Sequence, residues 1–299
     1  MIDKLEYFIA LASEQHFGRA AEDCGITQPT LSAGIKQLED MLGVMLVVRG
    51  SRFQGLTPEG QRVLEWARRI VGDARTMKEE MRAARFGVGG HIRIAVIPTA
   101  LAMVSELTTP FSEKHPNVTF SIIARTSAEV LNELNNFEID AGITYLENEP
   151  LGRVTAVPIY RESYQLITSA GSKFSDREEV TWAEVGTLPL CLLTQDMQNR
   201  RIINKHLQDA GVSANPTLES DSMSVLFFHI RTGKWASIMP LNLARILSFS
   251  EPNRAIPIVA PHVTHQVGLI AAERLPHTPL IAALLHEAKL LAGTMLNEA

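Results

Sequence analysis

Cysteine is scarce: the 299 residues contain two, Cys24 and Cys191, too few and too far apart in the chain for a disulfide framework. Each reads as a small buried thiol. A redox sensor would want a resolving cysteine beside an acidified thiolate, and the residues around Cys191 offer none. Long apolar runs are missing too. No stretch approaches the ~20 residues of a membrane helix. Asp3, Glu6 and Glu14 interrupt the first residues, so no secretory signal and no membrane partner are expected, and the expected compartment is the cytoplasm. Catalytic signatures are equally absent. Gly171-Ser-Lys173 has no second glycine at P-loop spacing, and there is no Gly-x-Ser-x-Gly elbow. His262 and His265 lack a nearby Cys, Asp or Glu to complete a metal set. The expectation is no enzyme, no catalytic residue, no metal and no cofactor.

What is present is a globular composition, 45% hydrophobic and 20% charged, in a chain long enough for about two domains. The net charge is -5, and residues 1–90 hold twelve basic and twelve acidic side chains. Binding to nucleic acid would therefore need a local basic cluster. Between Asp40 and Glu59 stand Arg49 and Arg52 with no acid between them.

Leu5, Phe8, Ile9 and Ala12 predict one helix over residues 3–12, and residues 19–24 a short second one. Gly25 breaks the chain. Thr27 then caps a third helix with Pro29 in its first turn and Leu31, Ile35, Leu38 and Leu42 on one face. Off that face lie Gln28, Thr30, Ser32, Lys36 and Gln37, groups able to reach base edges and phosphates. Residues 44–57 read as a two-stranded wing around Gly50. Residues 58–86 form a long helix with a seam of Val63, Ala67, Ile70, Ala74, Met77, Met81 and Ala84, spaced as coiled-coil a and d positions. Its flanks mix both signs of charge. Gly87, Gly89 and Gly90 then predict a hinge.

Beyond the hinge the pattern alternates. Strands at 91–97, 118–124 and 139–143 flank helices at 100–114 and 127–136, which predicts a parallel sheet of βαβ units. A second series starts near Tyr164, with strands at 165–168, 188–193, 217–219 and 236–239 and helices at 199–210 and 222–232. A strand at 267–272 and a helix at 279–291 close the chain.

The run Arg19-Ala-Ala-Glu-Asp, Ile26-Thr-Gln-Pro-Thr-Leu-Ser32, Ile35-Lys-Gln-Leu-Glu39, Leu42-Gly43-Val44, Arg49 and Leu56-Thr-Pro-Glu-Gly60 resembles the LysR-type transcription regulators, and the likeness covers the whole chain. That resemblance implies an N-terminal all-α winged helix-turn-helix (1–57), a linker helix that dimerises (58–86), a hinge (87–90) and an α/β effector module. The module would have two Rossmann-like lobes, like type II periplasmic binding proteins, lobe I being 91–161 with 268–299 and lobe II 162–267. The partners implied are promoter-operator DNA, a small-molecule effector, RNA polymerase and further copies of the chain, as a dimer through the linker helix and a homotetramer. DNA contacts are expected from Arg19, Gln28, Pro29, Thr30, Ser32, Ala33, Lys36, Arg49 and Arg52. The chain departs from the family at Ala33 and Gly34, where the family commonly carries Arg and a long polar residue, and at Trp235 within Gly233-Lys-Trp-Ala-Ser-Ile-Met-Pro240.

Ligands of open α/β lobes sit off strand ends, where helix N-termini present free N–H groups. That places a small anionic effector at Pro98, Thr99, Ala100, Thr126, Ser127, Thr194 and Gln195, with Arg200 as counter-charge. Thr99 and Ser127 serve equally as ordinary helix caps. Two other readings remain at this point: a regulator that binds DNA without a ligand, and a cytoplasmic solute-binding protein.

Overall fold

The computed structural model describes residues 1–48, 50, 53–247, 253–274 and 276–295, and divides into two compact units, Met1–Gly87 and Val88–Ala299.

The first unit is built from four helices. Helix α1 (Ile2–Glu14) buries Leu5, Phe8 and Leu11. His16 caps α2 (Phe17–Asp23), its Nδ1 accepting the N–H groups of Gly18 and Arg19. Thr27 caps α3 (Gln28–Leu42), which buries Leu31, Gly34, Ile35 and Leu38 and stops at Gly43 in the left-handed region. Helix α4 (Pro58–Phe86) starts with Thr57, which accepts the Gly60 N–H at 2.9 Å and donates its hydroxyl to the Met45 carbonyl at 2.6 Å. A Cβ on Gly60 would lie 2.1 Å from the Leu46 carbonyl oxygen, so only glycine lets α4 approach that backbone. The Leu56-Thr-Pro-Glu-Gly60 motif is thus a cap and a close approach in five residues.

Among the described residues of the expected wing, an antiparallel bridge joins Val47 to Leu56, and Val48 donates its N–H to Gly55 O. Arg49 and Arg52 lie outside the described residues. The seam of α4 differs from the expected one. Leu64 and Ala67 are buried and Val63 and Val71 pack against the same core, because the first turns lie along α1. Among the described side chains of α4, the apolar ones left exposed are Trp66, Ile70, Met77 and Met81; Ala84 lies outside the described side chains.

In the second unit, β1 (Gly90–Val96) leads through a 3-10 turn (Pro98–Met103) into α5 (Val104–Lys114), then β2 (Val118–Ala124), α6 (Ser127–Asn135), β3 (Ala141–Tyr145) and the sixteen-residue β4 (Val154–Ser169). Next come β5 (Val180–Thr181), α7 (Trp182–Val185), β6 (Cys191–Leu193), α8 (Gln198–Asp209), β7 (Leu218–Ser220) and α9 (Met223–Ile230). The chain ends in β8 (Ser237–Pro240), α10 (Leu241–Leu247), β9 (Asn253–Val259), β10 (Thr264–Ala272) and α11 (Pro279–Met295).

The sheet order is β2-β1-β3-β10-β4-β9-β5, with β8 also on β4, and β6 pairs β7 apart from it. The βαβ units expected around β1, β2 and β3 are parallel. The sheet as a whole is mixed, since β10 runs antiparallel to β3 and β4, and β4 antiparallel to β8 and β9. Strand β4 carries the chain across: residues 154–163 pair β10, and Tyr164 onward pairs β8 and β9. Two α/β lobes thus share their crossover strands. Among the described residues no helix is long and apolar enough to cross a membrane.

Candidate functional site

The first unit presents one helix face built for contact. The i, i+4, i+7 burial of Leu31, Ile35 and Leu38 turns Gln28, Pro29, Thr30, Ala33, Lys36 and Gln37 outward, with Ser32 half-buried. Arg19 is exposed and held by Glu14, Nε to Oε2 at 3.0 Å. Gly34 is not on this face. A Cβ there would meet the Tyr7 ring at 2.7 Å, so its smallness serves the packing of α3 on α1, and only Ala33 changes the outward surface.

The second unit contains a narrow cleft with a cavity volume of about 10 Å³, roughly the space of one water. Ile97, Pro98, Leu193 and Met197 form its apolar part, and Thr99, Ser127, Tyr145, Gln198 and Asn199 its polar part. None of these carries a charge. The residues come from the end of β1, the first residue of α6, the end of β3, the end of β6 and the first turn of α8. Two helix N-termini therefore meet at one cleft, with unpaired N–H groups and the positive dipole ends. The N-cap of α8, Met197, offers no side-chain acceptor. Ser127 is 3% exposed and its Oγ has no hydrogen-bond partner in the structure. The Thr194 Oγ1, one residue past β6, is also buried and unpartnered.

Behind the cleft wall lies a buried polar cluster. Tyr145 donates its hydroxyl to Glu162 Oε1, accepts the Asn199 amide at 3.0 Å, and meets Thr99 Oγ1 at 3.4 Å. Burial pushes the Glu162 carboxyl up to about 8 despite the Tyr145 hydrogen bond, and raises Tyr145, Tyr160 and Tyr164 well above the usual phenol value. On the far side, His206 of α8 and His265 of β10 bring their Nε2 atoms to 3.0 Å, with both rings lowered by burial.

Of the expected effector residues, Pro98, Thr99 and Ser127 line the cleft. Ala100 is fully buried, Thr126 is committed to a capping box with Glu129, and Gln195 is exposed. Arg200 does not supply a counter-charge there. It is 2% exposed, with Nη1 donating to the Leu193 carbonyl at 2.6 Å and to Glu219 at 2.5 Å. An unsolvated guanidinium needs such partners. Sequence reasoning missed Tyr145, Gln198 and Asn199. A signal existed in the polar pair that opens α8, which is one residue longer at its start than expected. The described residues contain no group of three possible metal ligands.

Cys191 is buried, its Sγ 3.8 Å from the Leu226 carbonyl, and its thiol is pushed up to about 11 by burial. It is a packed thiol with little thiolate character.

Comparison with known proteins gives two family-model matches, "Bacterial regulatory helix-turn-helix protein, lysR family" over residues 2–61 and "LysR substrate binding domain" over residues 87–290. A hydrogen peroxide-inducible genes activator of Dickeya chrysanthemi is 27% identical over 240 residues, covering 80% of this chain and 78% of that protein. Among solved structures, a full-length OxyR variant from Pseudomonas aeruginosa superposes with a TM-score of 0.79 at 24% identity, covering 97% and 95% of the two chains. Full-length CbnR complexed with its target DNA superposes with a TM-score of 0.67 at 22% identity, covering 97% and 99%.

Proposed function

The chain belongs to the LysR family of DNA-binding transcription regulators, and on that premise we propose that it reads a promoter operator with α3 and answers to a small anion held in the cleft between its lobes. The observation that carries the ligand half is the Ser127 hydroxyl, buried and unpartnered where the N-termini of α6 and α8 meet. An orphaned buried hydroxyl costs free energy that a ligand oxygen would recover. With no cation on the cleft wall, recognition falls to Thr99, Ser127, Gln198, Asn199 and backbone N–H groups, as suits a small carboxylate or oxyanion.

In the DNA half, Gln28, Thr30, Ser32, Ala33 and Lys36, with Pro29, face the major groove, while Arg19, Arg49 and Arg52 take phosphate or the adjacent minor groove. Two copies pair through the exposed Ile70, Met77 and Met81 of α4, and two such dimers make a tetramer. The domain limits follow the sequence reading, 1–57, 58–86, a hinge at 87–90, and lobes of 91–161 with 268–299 and of 162–267. RNA polymerase is the further partner of a regulator that acts at a promoter. The proteins it resembles are regulators and not enzymes, and we assign it no catalysis. The site of action of a DNA-bound regulator is the cytoplasm.

Peroxide is the inducer that the relative's name gives; a cysteine here is a poor sensor for it, because Cys191 is inaccessible and burial raises both thiols. A thermal-shift screen of small acids, followed by operator titration with and without the acid that stabilises the chain, tests the proposal. A panel that leaves both stability and DNA affinity unmoved would remove the effector half.

A further inference from the structure

We propose that occupancy of the cleft is coupled to a proton on Glu162, which acts as a positioning residue through Tyr145. The inference rests on the anion reading of the cleft and adds its regulation. The geometry is a relay. Tyr145 stands on the cleft wall, touching Thr99 and Asn199 there, and gives its only hydroxyl proton to Glu162, 2% exposed behind it. Whatever sits against Thr99 and Asn199 is therefore one phenol from a buried carboxyl.

Burial, more than its partners, favours the neutral form of Glu162. Tyr160, Glu162 and Tyr164 alternate on β4, so they share a face. Tyr145 donates to Oε1, and Asn199 and Tyr164 stand close enough to favour the charged form too, yet burial outweighs all three. Glu162 Oε2 and the hydroxyls of Tyr160 and Tyr164 make no hydrogen bond of ordinary geometry. A buried carboxylate would need more donors than these to offset its desolvation, whereas the protonated form loses less solvation on burial and needs one acceptor. Across the strand pair, His265 stands opposite Glu162, and it contacts His206 of α8. The titratable groups that face the carboxyl are thus Tyr145 on β3, Tyr160 and Tyr164 on β4, His206 on α8 and His265 on β10. Glu147, Arg161 and Lys205 act on His265 from further out. No lysine or arginine in this set bonds to Glu162, and burial lowers both histidines, so they stay neutral above pH 6.5.

Two negative charges one phenol apart in a buried setting repel strongly. An anion in the cleft therefore favours the protonated carboxyl, and by reciprocity the protonated carboxyl favours the anion. Release of the proton strengthens the bond that Tyr145 already donates to Glu162 and draws Tyr160 and Tyr164 closer, which shifts the phenol that Asn199 donates to and so the first turn of α8.

The test uses the full chain with sulfate, acetate and benzoate as probes, since none of them changes charge between about pH 6.5 and about pH 9. Calorimetry of the binding probe in two buffers of different ionisation heat reads proton uptake directly. Affinity is expected to fall on the order of tenfold across that range, with proton uptake above pH 8. In Glu162→Gln the dependence should vanish while binding persists. Should that variant not fold, Tyr145→Phe cuts the same relay and should flatten the profile. Wild-type affinity that is constant with pH, without proton uptake, overturns the coupling and leaves the anion site standing. Absence of binding by every probe at every pH removes the anion site and the coupling with it.

Discussion

Glu39 accepts the backbone N–H groups of Leu46 and Val47 at 2.7 and 3.2 Å through one oxygen, Oε1. A single carboxylate at the last turn of α3 thus fixes the start of the wing. Bonds to a charged acceptor are worth about 1.5–3 kcal/mol each, and lost acceptors leave part-buried donors unpaired. Glu39→Ala should therefore destabilise the chain by roughly 2–3 kcal/mol in urea denaturation, and Glu39→Gln by less. Equal midpoints for Ala and wild type would show that the wing is fixed by something else.

The two departures of α3 should behave oppositely. Ala33 is exposed, so Ala33→Arg adds a cation to the outward face and should tighten DNA, steepening the salt dependence by about one counterion. Gly34 faces Tyr7, where a Cβ would be 2.7 Å from the ring. Gly34→Leu should cost about 1–3 kcal/mol of stability through overpacking and bring no new phosphate contact. Titrations at several salt concentrations separate the two. A steeper slope for the Gly34 variant would put that position on the DNA face.

Most of the first unit was legible because its signals are local. The caps Thr27 and Thr57, the glycines at 43 and 60 and the apolar spacing of α3 each act within a few residues. The candidate cleft was half legible for the opposite reason. Pro98, Thr99 and Ser127 follow predicted strand ends, but Tyr145, Leu193 and Asn199 reach the cleft only through the parallel order of β1 and β3 and the docking of α8. Strand β4 was recognised only past Tyr164, because Pro158 and the charged Arg161 and Glu162 break a strand pattern. In the fold Pro158 sits by a bulge opposite Val267 and Gly268, and burial raises the Glu162 carboxyl, which no residue spacing reveals. Arg200 misled for a similar reason, since its partner Glu219 lies on β7.

Arg200 should prove structural. With its guanidinium committed to Glu219, the Leu193 carbonyl and Asn204, Glu219→Ala leaves a buried cation short of a partner. A loss of about 3 kcal/mol is expected, toward the low end for a broken buried pair because Glu219 is partly solvated. Probe affinity in the cleft should stay within about twofold. A large affinity loss at unchanged stability would return Arg200 to the ligand.

The exposed stretch of α4 should carry the dimer. Ile70, Met77 and Met81 are exposed, at 36%, 58% and 64%, in contrast to Ala67, which is wholly buried. Ile70→Asp would place an unpaired carboxylate in the seam between copies, where it must be desolvated or neutralised. Sedimentation should then show the protomer mass at concentrations where wild type is oligomeric. Wild-type mass for this variant would move the interface off the seam.

Glu162 makes a prediction about stability that needs no ligand. Its folded value of about 8 stands above the ordinary 4.5, so the folded chain keeps a proton that the unfolded chain releases. The contribution is complete below about pH 4.5 and is lost as pH rises through about 8, after which it is constant. Within that window the slope approaches about 1.4 kcal/mol per pH unit. His206 and His265, lowered by burial, act in the other direction but only below 6.5, so the interval from 6.5 to 8 isolates the carboxyl. Glu162→Gln keeps the shape and cannot ionise. The difference in unfolding free energy, wild type minus Glu162→Gln, should decline steadily over that interval and level off beyond it. A difference that stays flat from 6.5 to 8 would mean that Glu162 is already charged inside the fold, and that the unpartnered phenols beside it answer to some other group.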